Sequence, residues 1–328
     1  MTSGFVNTTL EKLVHLEASQ RDDLALQVFR YQYNYNNLYH AWCNLCCDNP
    51  QSIKAVRDIP FLPISFFKTH AVHTTDFKPQ FTFESSGTGS QECSKHYIRD
   101  LEIYKRVSLE AFLKTYGDPK DYCILGLLPS YLEKGNSSLV YMVKYFMEAS
   151  RHPANDFFLN DYVALQKTIF ENEKAGQKII LFGVAYALLD FADEYPMNLQ
   201  HTIIIETGGM KGRKKEITRA ELHGVLSSRL GIDAIGSEYG MTELLSQFYA
   251  KSQGRFTCPP WANIYCRAED DPKDLSVSRG AINIMDLANI YSCSFIATDD
   301  AGILYEDGSF EVTGRLDNAD IRGCSLMM

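Results

Sequence analysis

The chain has 328 residues, of which 45% are hydrophobic and 22% charged, and a formal net charge of −9. This is the composition of a globular protein large enough for two packed lobes, and its charge excludes an overall basic field for binding nucleic acid or an anionic membrane. The first residues lack the pattern of a signal peptide, and the longest apolar run, Ile179 to Leu189, is too short to span a bilayer, so we expect no integral membrane association.

Nine cysteines are scattered along the chain. An odd number without a regular framework indicates reduced thiols and a cytoplasmic protein. Two groups could be considered as metal sets, but neither is followed by a second Cys/His pair at matching spacing, so we interpret them as small buried hydrophobes and expect no structural metal. These groups are Cys43, Cys46 and Cys47, and Cys258, Cys266 and Cys293.

The first third of the chain predicts helices followed by a strand and a loop. Apolar residues at helical spacing over residues 7–49 indicate two helices with a polar YQYNYNN stretch between them. The prolines of DIPFLPISFFK favour an extended segment or loop. FTFESSGTGS is interpreted as a strand and loop, and HYIRDLEIYKRVSLEAFLKTYG as a helix that ends at Gly117.

The next part alternates between strands and helices. DYCILGLLP, QKIILFGV, HTIIIETGG and DAIGSEYG are typical of strands, and helical segments lie between them. Such alternation predicts an α/β domain with mainly parallel sheets, in which ligands bind at the carboxyl ends of the strands. Beyond Thr257, the segments GAINIMD, CSFIATDD, GILYEDG and SFEVTGR predict short strands.

Three segments carry candidate chemistry, and each has an ordinary structural alternative. SSGTGS, residues 85–90, is either a phosphate cradle or a plain loop. GSEYGMTELLSQ, residues 236–247, offers a hydroxyl for phosphate and a carboxylate for Mg²⁺, or simply a capped helix start. TDDAG (298–302) and TGRLD (313–317) could take ribose hydroxyls or be ordinary turns.

Together and in this order, these segments resemble the core motifs of the adenylate-forming superfamily. The more specific resemblance is to the acyl-protein synthetases of the bacterial luminescence fatty-acid reductase system and their non-luminous relatives. VFRYQYNYNNLYHAWC, IPFLPISFFKTH, FESSGTGS, LLPSYLEKGNSSLVYMV, YGMTELLSQFY and GRLDNADIRGCSL carry it over nearly the whole chain. The family implies the α/β large-lobe fold with a small β-rich C-terminal part and a truncated C-terminal mobile lobe.

The resemblance also implies an ATP and Mg²⁺ site that converts a fatty or aryl carboxylic acid to acyl-AMP. Thr242 corresponds to the α-phosphate contact and Glu243 to the Mg²⁺ contact. Asp300, or alternatively Asp299, corresponds to the ribose contact, accompanied by Arg315. The remaining nucleotide-binding residues implied by the family are Ser85, Ser86, Gly87, Thr88, Gly89, Gly208, Gly209, Gly236, Ser237, Glu238 and Tyr239.

Two further features bear on catalysis. The lysine that usually follows the phosphate loop is replaced here, and Lys95 is a substitute to consider. His70, His73 and His96 form no metal or catalytic pattern, so surface or capping roles are expected for them.

In this family an acyl group passes from AMP to a cysteine near the C-terminus and then to a reductase partner. Cys324 matches that position, and neighbouring Arg322 would favour its thiolate. The ordinary alternative is an unremarkable thiol on a frayed end.

The resemblance thus predicts an acyl-protein synthetase with an acyl-CoA or aldehyde-forming reductase, or an acyl carrier protein, as partner. Two other functions remain open: a ligase that delivers directly to coenzyme A or a carrier, and an inactive nucleotide-binding subunit. The expected organisation is an acyl-activating domain over residues 1–256, a β-rich subdomain over 257–312, and a hinge-like stub and tail over 313–328.

Overall fold

Strands and helices alternate through the centre of the chain, as the sequence predicts. The computed structural model describes residues 2–85, 93–129, 135–208, 217–268 and 270–316. The α-helices of these residues are α1 (Thr2–Leu13), α2 (Ala18–Tyr35), α3 (Asn37–Cys46), α4 (Phe66–Thr69), α5 (Leu101–Tyr116), α6 (Ser138–Ser150), α7 (Tyr162–Lys174), α8 (Ala185–Glu194) and α9 (Arg219–Leu230).

Short 3₁₀ helices occupy Pro50–Ser52, Val56–Asp58 and Pro119–Asp121. The strands are β1 (Leu62–Pro63), β2 (Phe81–Glu84), β3 (Lys95–Ile98), β4 (Cys123–Leu127), β5 (Asp156–Phe157), β6 (Ile179–Val184), β7 (Thr202–Thr207), β8 (Gly236–Tyr239), β9 (Phe248–Ala250), β10 (Ala262–Arg267), β11 (Arg279–Asp286), β12 (Phe295–Leu304) and β13 (Phe310–Arg315).

The larger sheet has the strand order β5-β4-β6-β7-β8-β9. All neighbouring strands in it are parallel except the last pair, β8 and β9. Every residue of β4 and β6 is buried, which explains their unbroken apolar sequences: a parallel sheet covered on both faces has no polar side. The predicted α/β fold with a mainly parallel sheet is confirmed.

A second sheet is formed mainly by the C-terminal strands, in the order β1-β12-β11-β10 with β13 also paired to β12. CSFIATDD and GILYEDG, predicted as two strands, are parts of the single strand β12, which pairs with β13 through a bulge next to Gly302. Because β1 comes from residues 62–63, this sheet draws on the N-terminal part of the chain. The division into 1–256, 257–312 and 313–328 stays a prediction.

Two further local predictions were wrong in part. Residues 7–49 contribute to three helices, not two, and most of the polar stretch over residues 31–37 belongs to α2, which continues to Tyr35. The stretch separates α2 from α3 only at Asn36, whose side chain accepts a hydrogen bond from Tyr39 N at 2.9 Å. HYI does not open a helix, because these residues form β3 against β2. The helix begins only after Asp100, which caps it by accepting from Glu102 N at 2.9 Å.

Candidate active site

A cleft of about 1670 Å³ lies beside the carboxyl ends of β7 and β8, facing the strands β12 and β13. Gly208 follows β7 with φ of +68°, a conformation that favours glycine and lets the chain turn at the cleft wall. Eight of the predicted site residues line this one cleft: Ser85, Gly208, Glu238, Tyr239, Thr242, Glu243, Asp300 and Arg315.

The other predicted residues lie elsewhere or outside the described ranges. Gly236 is buried behind the cleft wall, where an added Cβ would lie 2.8 Å from the Tyr116 hydroxyl. Ser237 is fully buried with its Oγ 3.4 Å from His223 Nε2. Neither lines the cleft. The predicted residues outside the described ranges are Ser86, Gly87, Thr88, Gly89, Gly209 and Cys324.

Tyr239, Asp300 and Arg315 form one group, joined by a hydrogen bond and an ion pair. The Tyr239 hydroxyl donates to Asp300 Oδ2 at 2.7 Å, and Arg315 Nε lies 3.6 Å from Asp300 Oδ1. Asp300 and Arg315 are directly paired between β12 and β13, which fixes their spacing. Burial raises the pKa of Asp300, while Tyr239 and Arg315 oppose that rise. The result is a carboxylate held in place at the cleft edge, suited to accept hydrogen bonds from a sugar hydroxyl.

Thr242 and Glu243 lie in a turn, so the alternative of a capped helix start is wrong. Buried polar groups from other elements hold this turn. Asn289 Nδ2 donates to the Glu243 carbonyl at 2.8 Å. Asp286 accepts from Leu245 N at 2.9 Å and from Ser246 N at 3.0 Å. Backbone tied down in this way presents its side chains without reorganisation when a ligand binds.

Glu243 is one of the carboxylates that line the cleft. It is 6% exposed, and burial raises the pKa of its side chain, while a hydrogen bond from Ser94 and the positive charge of Lys68 oppose that rise. Carboxylate oxygen is the ligand type that Mg²⁺ prefers. Lys95 pairs with Glu84 across the β2–β3 hairpin and does not line the cleft, whereas Lys68 does.

His96 differs from its predicted surface or capping role. It is 1% exposed, and its Nδ1–H donates to the Thr242 carbonyl at 2.8 Å. Burial lowers the pKa of His96 to about 4, so the ring is neutral at physiological pH. Its function is to hold the turn that carries Thr242 and Glu243.

Replacing His96 with Phe tests this contact. At pH 7 the Thr242 carbonyl loses its donor, and we expect the free energy of unfolding to fall by about 1–3 kcal/mol. His96 has a pKa of about 6.5 in the unfolded chain and about 4 in the native state. The contribution of His96 to stability is therefore complete above pH 6.5 and is lost as the pH falls toward 4. Between those values the difference between wild type and variant should shrink by up to about 3 kcal/mol, measured by urea denaturation. A pH-independent difference would contradict a buried, neutral His96.

Sequence reasoning also missed the ion cluster of Glu206, Arg219 and His223. Glu206 is an acid within an apolar strand, and Arg219 Nε lies 2.9 Å from its Oε1, with His223 Nε2 at 3.6 Å. Burial acts to raise the pKa of Glu206, but hydrogen bonding with His223 and the charge of Arg219 outweigh it and hold that pKa below its usual range. Arg219 also donates to the Val312 carbonyl at 2.9 Å, so it links β7 to β13 across the cleft. The sequence signal for this cluster was the single acidic residue in the otherwise apolar strand segment IIIET.

In the part of the chain that is described, no group of three or more His, Cys, Asp or Glu side chains could hold a metal ion. Of the six cysteines interpreted as small buried residues, Cys43, Cys266 and Cys293 are buried, whereas Cys46, Cys47 and Cys258 are partly exposed. No helix of the described ranges is long and apolar enough to cross a membrane.

The chain is similar to a family of known proteins over nearly its whole length. A family model described as "Acyl-protein synthetase, LuxE" matches residues 16–328. The long-chain-fatty-acid–luciferin-component ligase of Aliivibrio fischeri is 25% identical, and the match covers 94% of this chain and 87% of that protein. The corresponding ligase of Vibrio harveyi is 23% identical, with 92% and 85% covered.

Solved structures of adenylate-forming enzymes share the fold. ATP-bound MatB from Rhodopseudomonas palustris matches with a TM-score of 0.54 at 15% identity, covering 74% of this chain and 50% of that one. O-succinylbenzoate coenzyme A synthetase (MenE) from Bacillus subtilis, in complex with ATP and magnesium, matches with a TM-score of 0.50 at 15% identity, covering 74% and 51%. The chain spans about half the length of these solved structures.

Proposed function

The chain belongs to the acyl-protein synthetase (LuxE) family of adenylate-forming enzymes, and from that premise we propose that it uses ATP to activate a carboxylic acid as acyl-AMP. The observation that carries this proposal is the convergence of Tyr239, Thr242, Glu243, Asp300 and Arg315 on one cleft. The names of the two curated relatives support a fatty acid as the substrate class.

In the proposed first step, a carboxylate oxygen of the acid attacks the α-phosphorus of ATP and pyrophosphate leaves. Thr242 would donate its hydroxyl to an α-phosphate oxygen, and Asp300 would accept from the ribose hydroxyls. Lys68 and Arg315, both lining the cleft, would offset the negative charge that collects on the phosphate oxygens. The hydrogen bonds that hold the turn of Thr242 and Glu243 would keep these groups aligned as that charge develops.

The chemistry of the cleft fits a magnesium ion carried in with ATP. Glu243 supplies a hard oxygen ligand, and a bound cation would displace the proton that burial favours on this carboxyl. Magnesium would supply Lewis-acid neutralisation of phosphate charge. Glu243 is the residue that we propose holds it.

In the proposed second step, the thiolate of Cys324 attacks the acyl carbon, AMP leaves, and a thioester forms. Cys324 lies outside the described residues, and its role rests on the match of the family model through residue 328. A thioester keeps the acyl group reactive toward a second protein. We propose an acyl-CoA or aldehyde-forming reductase, or a carrier protein, as that acceptor.

Intact-protein mass spectrometry after incubation with ATP, Mg²⁺ and a pool of fatty and aryl acids tests both steps. We expect an acyl adduct that hydroxylamine removes and that identifies the preferred acid. Replacing Cys324 with Ser should lower adduct formation by roughly 100-fold or more, because an alcohol is a far poorer nucleophile than a thiolate. Replacing the half-buried Cys46 with Ser is the matched control and should leave the adduct unchanged.

Two other outcomes distinguish the alternatives. Acid-dependent pyrophosphate release without an adduct would contradict the acyl-cysteine step and favour direct transfer to coenzyme A or a carrier. If neither adduct nor pyrophosphate appeared with any acid, even with a partner reductase present, the chain would be a nucleotide-binding subunit without this activity.

A further inference from the structure

The cleft is lined from both faces of β8, and we call the part on the face opposite Tyr239, around Glu238 and Gln247, its second compartment. Successive side chains of a strand point to opposite faces, so Glu238 points away from the group formed by Tyr239 and Asp300. Glu238 Oε2 accepts a hydrogen bond from the Thr207 hydroxyl at 2.5 Å. An added Cβ at Gly240 would collide with Glu238 Oε1, so the carboxyl sits directly over this glycine.

Gln247 closes the same compartment. It lies just before β9, and its Cγ would be 3.6 Å from an added Cβ at Gly240, which brings it next to Glu238. Its Nε2 donates to the Tyr104 hydroxyl at 3.4 Å, and Tyr104 donates in turn to the Ser138 carbonyl at 2.9 Å. Glu238, Gln247, Tyr104 and Ser138 all line the cleft.

One acceptor in this group has no partner. Gln247 is 4% exposed, and its Oε1 makes no hydrogen bond to any of the residues that the structure describes. The proton of the Tyr104 hydroxyl is already committed to Ser138, so Tyr104 cannot satisfy this oxygen. A buried carbonyl oxygen without a donor is costly, and a site that lines a substrate cleft can receive that donor from the substrate.

The surroundings of this oxygen indicate which part of the substrate would reach it. Leu139, Met142 and Ala185 line the cleft as well and supply an apolar wall for a hydrocarbon chain. Tyr239, Asp300 and Arg315, the proposed ribose-binding group, lie on the other face of β8. The second compartment therefore suits the acyl group, with one polar position set into an apolar wall.

Resting on the proposed function, we infer that this compartment selects a carboxylic acid whose chain carries a hydrogen-bond donor, such as a hydroxyl group, which pairs with Gln247 Oε1 beside Glu238. A plain alkyl chain would leave the oxygen unpaired. Sites built to bind a substrate hydroxyl reject the analogue that lacks it far more strongly than an apolar pocket rejects an added methylene.

The test compares decanoic acid with a series of monohydroxylated decanoic acids that differ only in the position of the hydroxyl. Binding is measured by calorimetry, and activation by pyrophosphate release. We expect at least one positional isomer to bind about 10- to 100-fold more tightly than decanoic acid, with a matching gain in kcat/KM. In Gln247→Met, which keeps the side-chain volume without the amide, that preference should disappear and decanoic acid should bind at least as well as before.

The outcomes separate the two proposals. If decanoic acid and every hydroxylated acid bind and react equally in the wild-type protein, an internal water satisfies Gln247 and the inference is overturned, while the proposed function stands. If none of the acids caused pyrophosphate release, the proposed function would be contradicted. Calorimetry would then still show whether the protein prefers a hydroxylated acid, and so would still test the inference. Equal binding of all acids in that case would overturn both.

Discussion

Glu243→Gln is expected to lower acid-dependent pyrophosphate release by about 100-fold or more, since it removes the negative charge that we propose holds Mg²⁺. The change conserves the size of the side chain and its ability to accept the hydrogen bond from Ser94, so the turn should stay in place. A steady-state assay over a range of Mg²⁺ concentrations is the measurement, and high Mg²⁺ should restore part of the activity.

Glu311→Gln is the matched control for this variant. Glu311 lines the same cleft, but it accepts a hydrogen bond from the Tyr305 hydroxyl at 2.7 Å and lies on β13, away from the turn of Glu243. We expect its activity to stay within about twofold of wild type, as for most surface changes. Equal losses in the two variants would show that the charge of the cleft as a whole matters, and not a specific metal ligand.

Asp300→Asn should raise the KM for ATP by about 10- to 100-fold, because a charged acceptor of ribose hydroxyls becomes a neutral one. The amide oxygen can still accept from Tyr239, so the fold around β12 should remain intact. The effect on kcat should be smaller, since ribose binding is present both before and during the chemical step.

Asp299→Asn provides the comparison for this variant. Both residues line the cleft, but Asp300 alone of the two is hydrogen-bonded to Tyr239 and paired with Arg315. The KM for ATP should therefore change less in Asp299→Asn than in Asp300→Asn. The reverse order would assign the ribose contact to Asp299.

The parts of this protein that could be predicted from sequence are those with a local signal. Unbroken apolar segments such as IILFGV predict buried parallel strands. Ordered motifs predict which segments of the chain bring Tyr239, Thr242, Glu243, Asp300 and Arg315 to the cleft. Local patterns suffice for these parts because a strand buried on both faces must be apolar along its whole length, which a short segment of sequence shows directly.

The parts that could not be predicted depend on contacts between distant residues. His96 and Thr242 are 146 positions apart, and no periodicity indicates that the ring of one meets the carbonyl of the other. Gln247 stands in a segment that is either a nucleotide-binding motif or a capped helix start, and neither interpretation indicates that its Nε2 meets Tyr104 of α5 while its Oε1 stays unpaired. Gly236 and Ser237 show the converse: they belong to the motif, yet they lie in the first half of β8, away from its carboxyl end, where packing encloses them.

The central claim is that a carboxylate oxygen attacks the α-phosphorus of ATP, and the fate of that oxygen tests it most directly. The preferred acid, labelled with ¹⁸O in both carboxyl oxygens, is incubated with ATP, Mg²⁺ and the protein, and the nucleotide products are analysed by mass spectrometry. Acyl-AMP formation followed by acyl transfer predicts AMP that carries one ¹⁸O atom. Release of ADP, or of AMP without the label, would contradict the account.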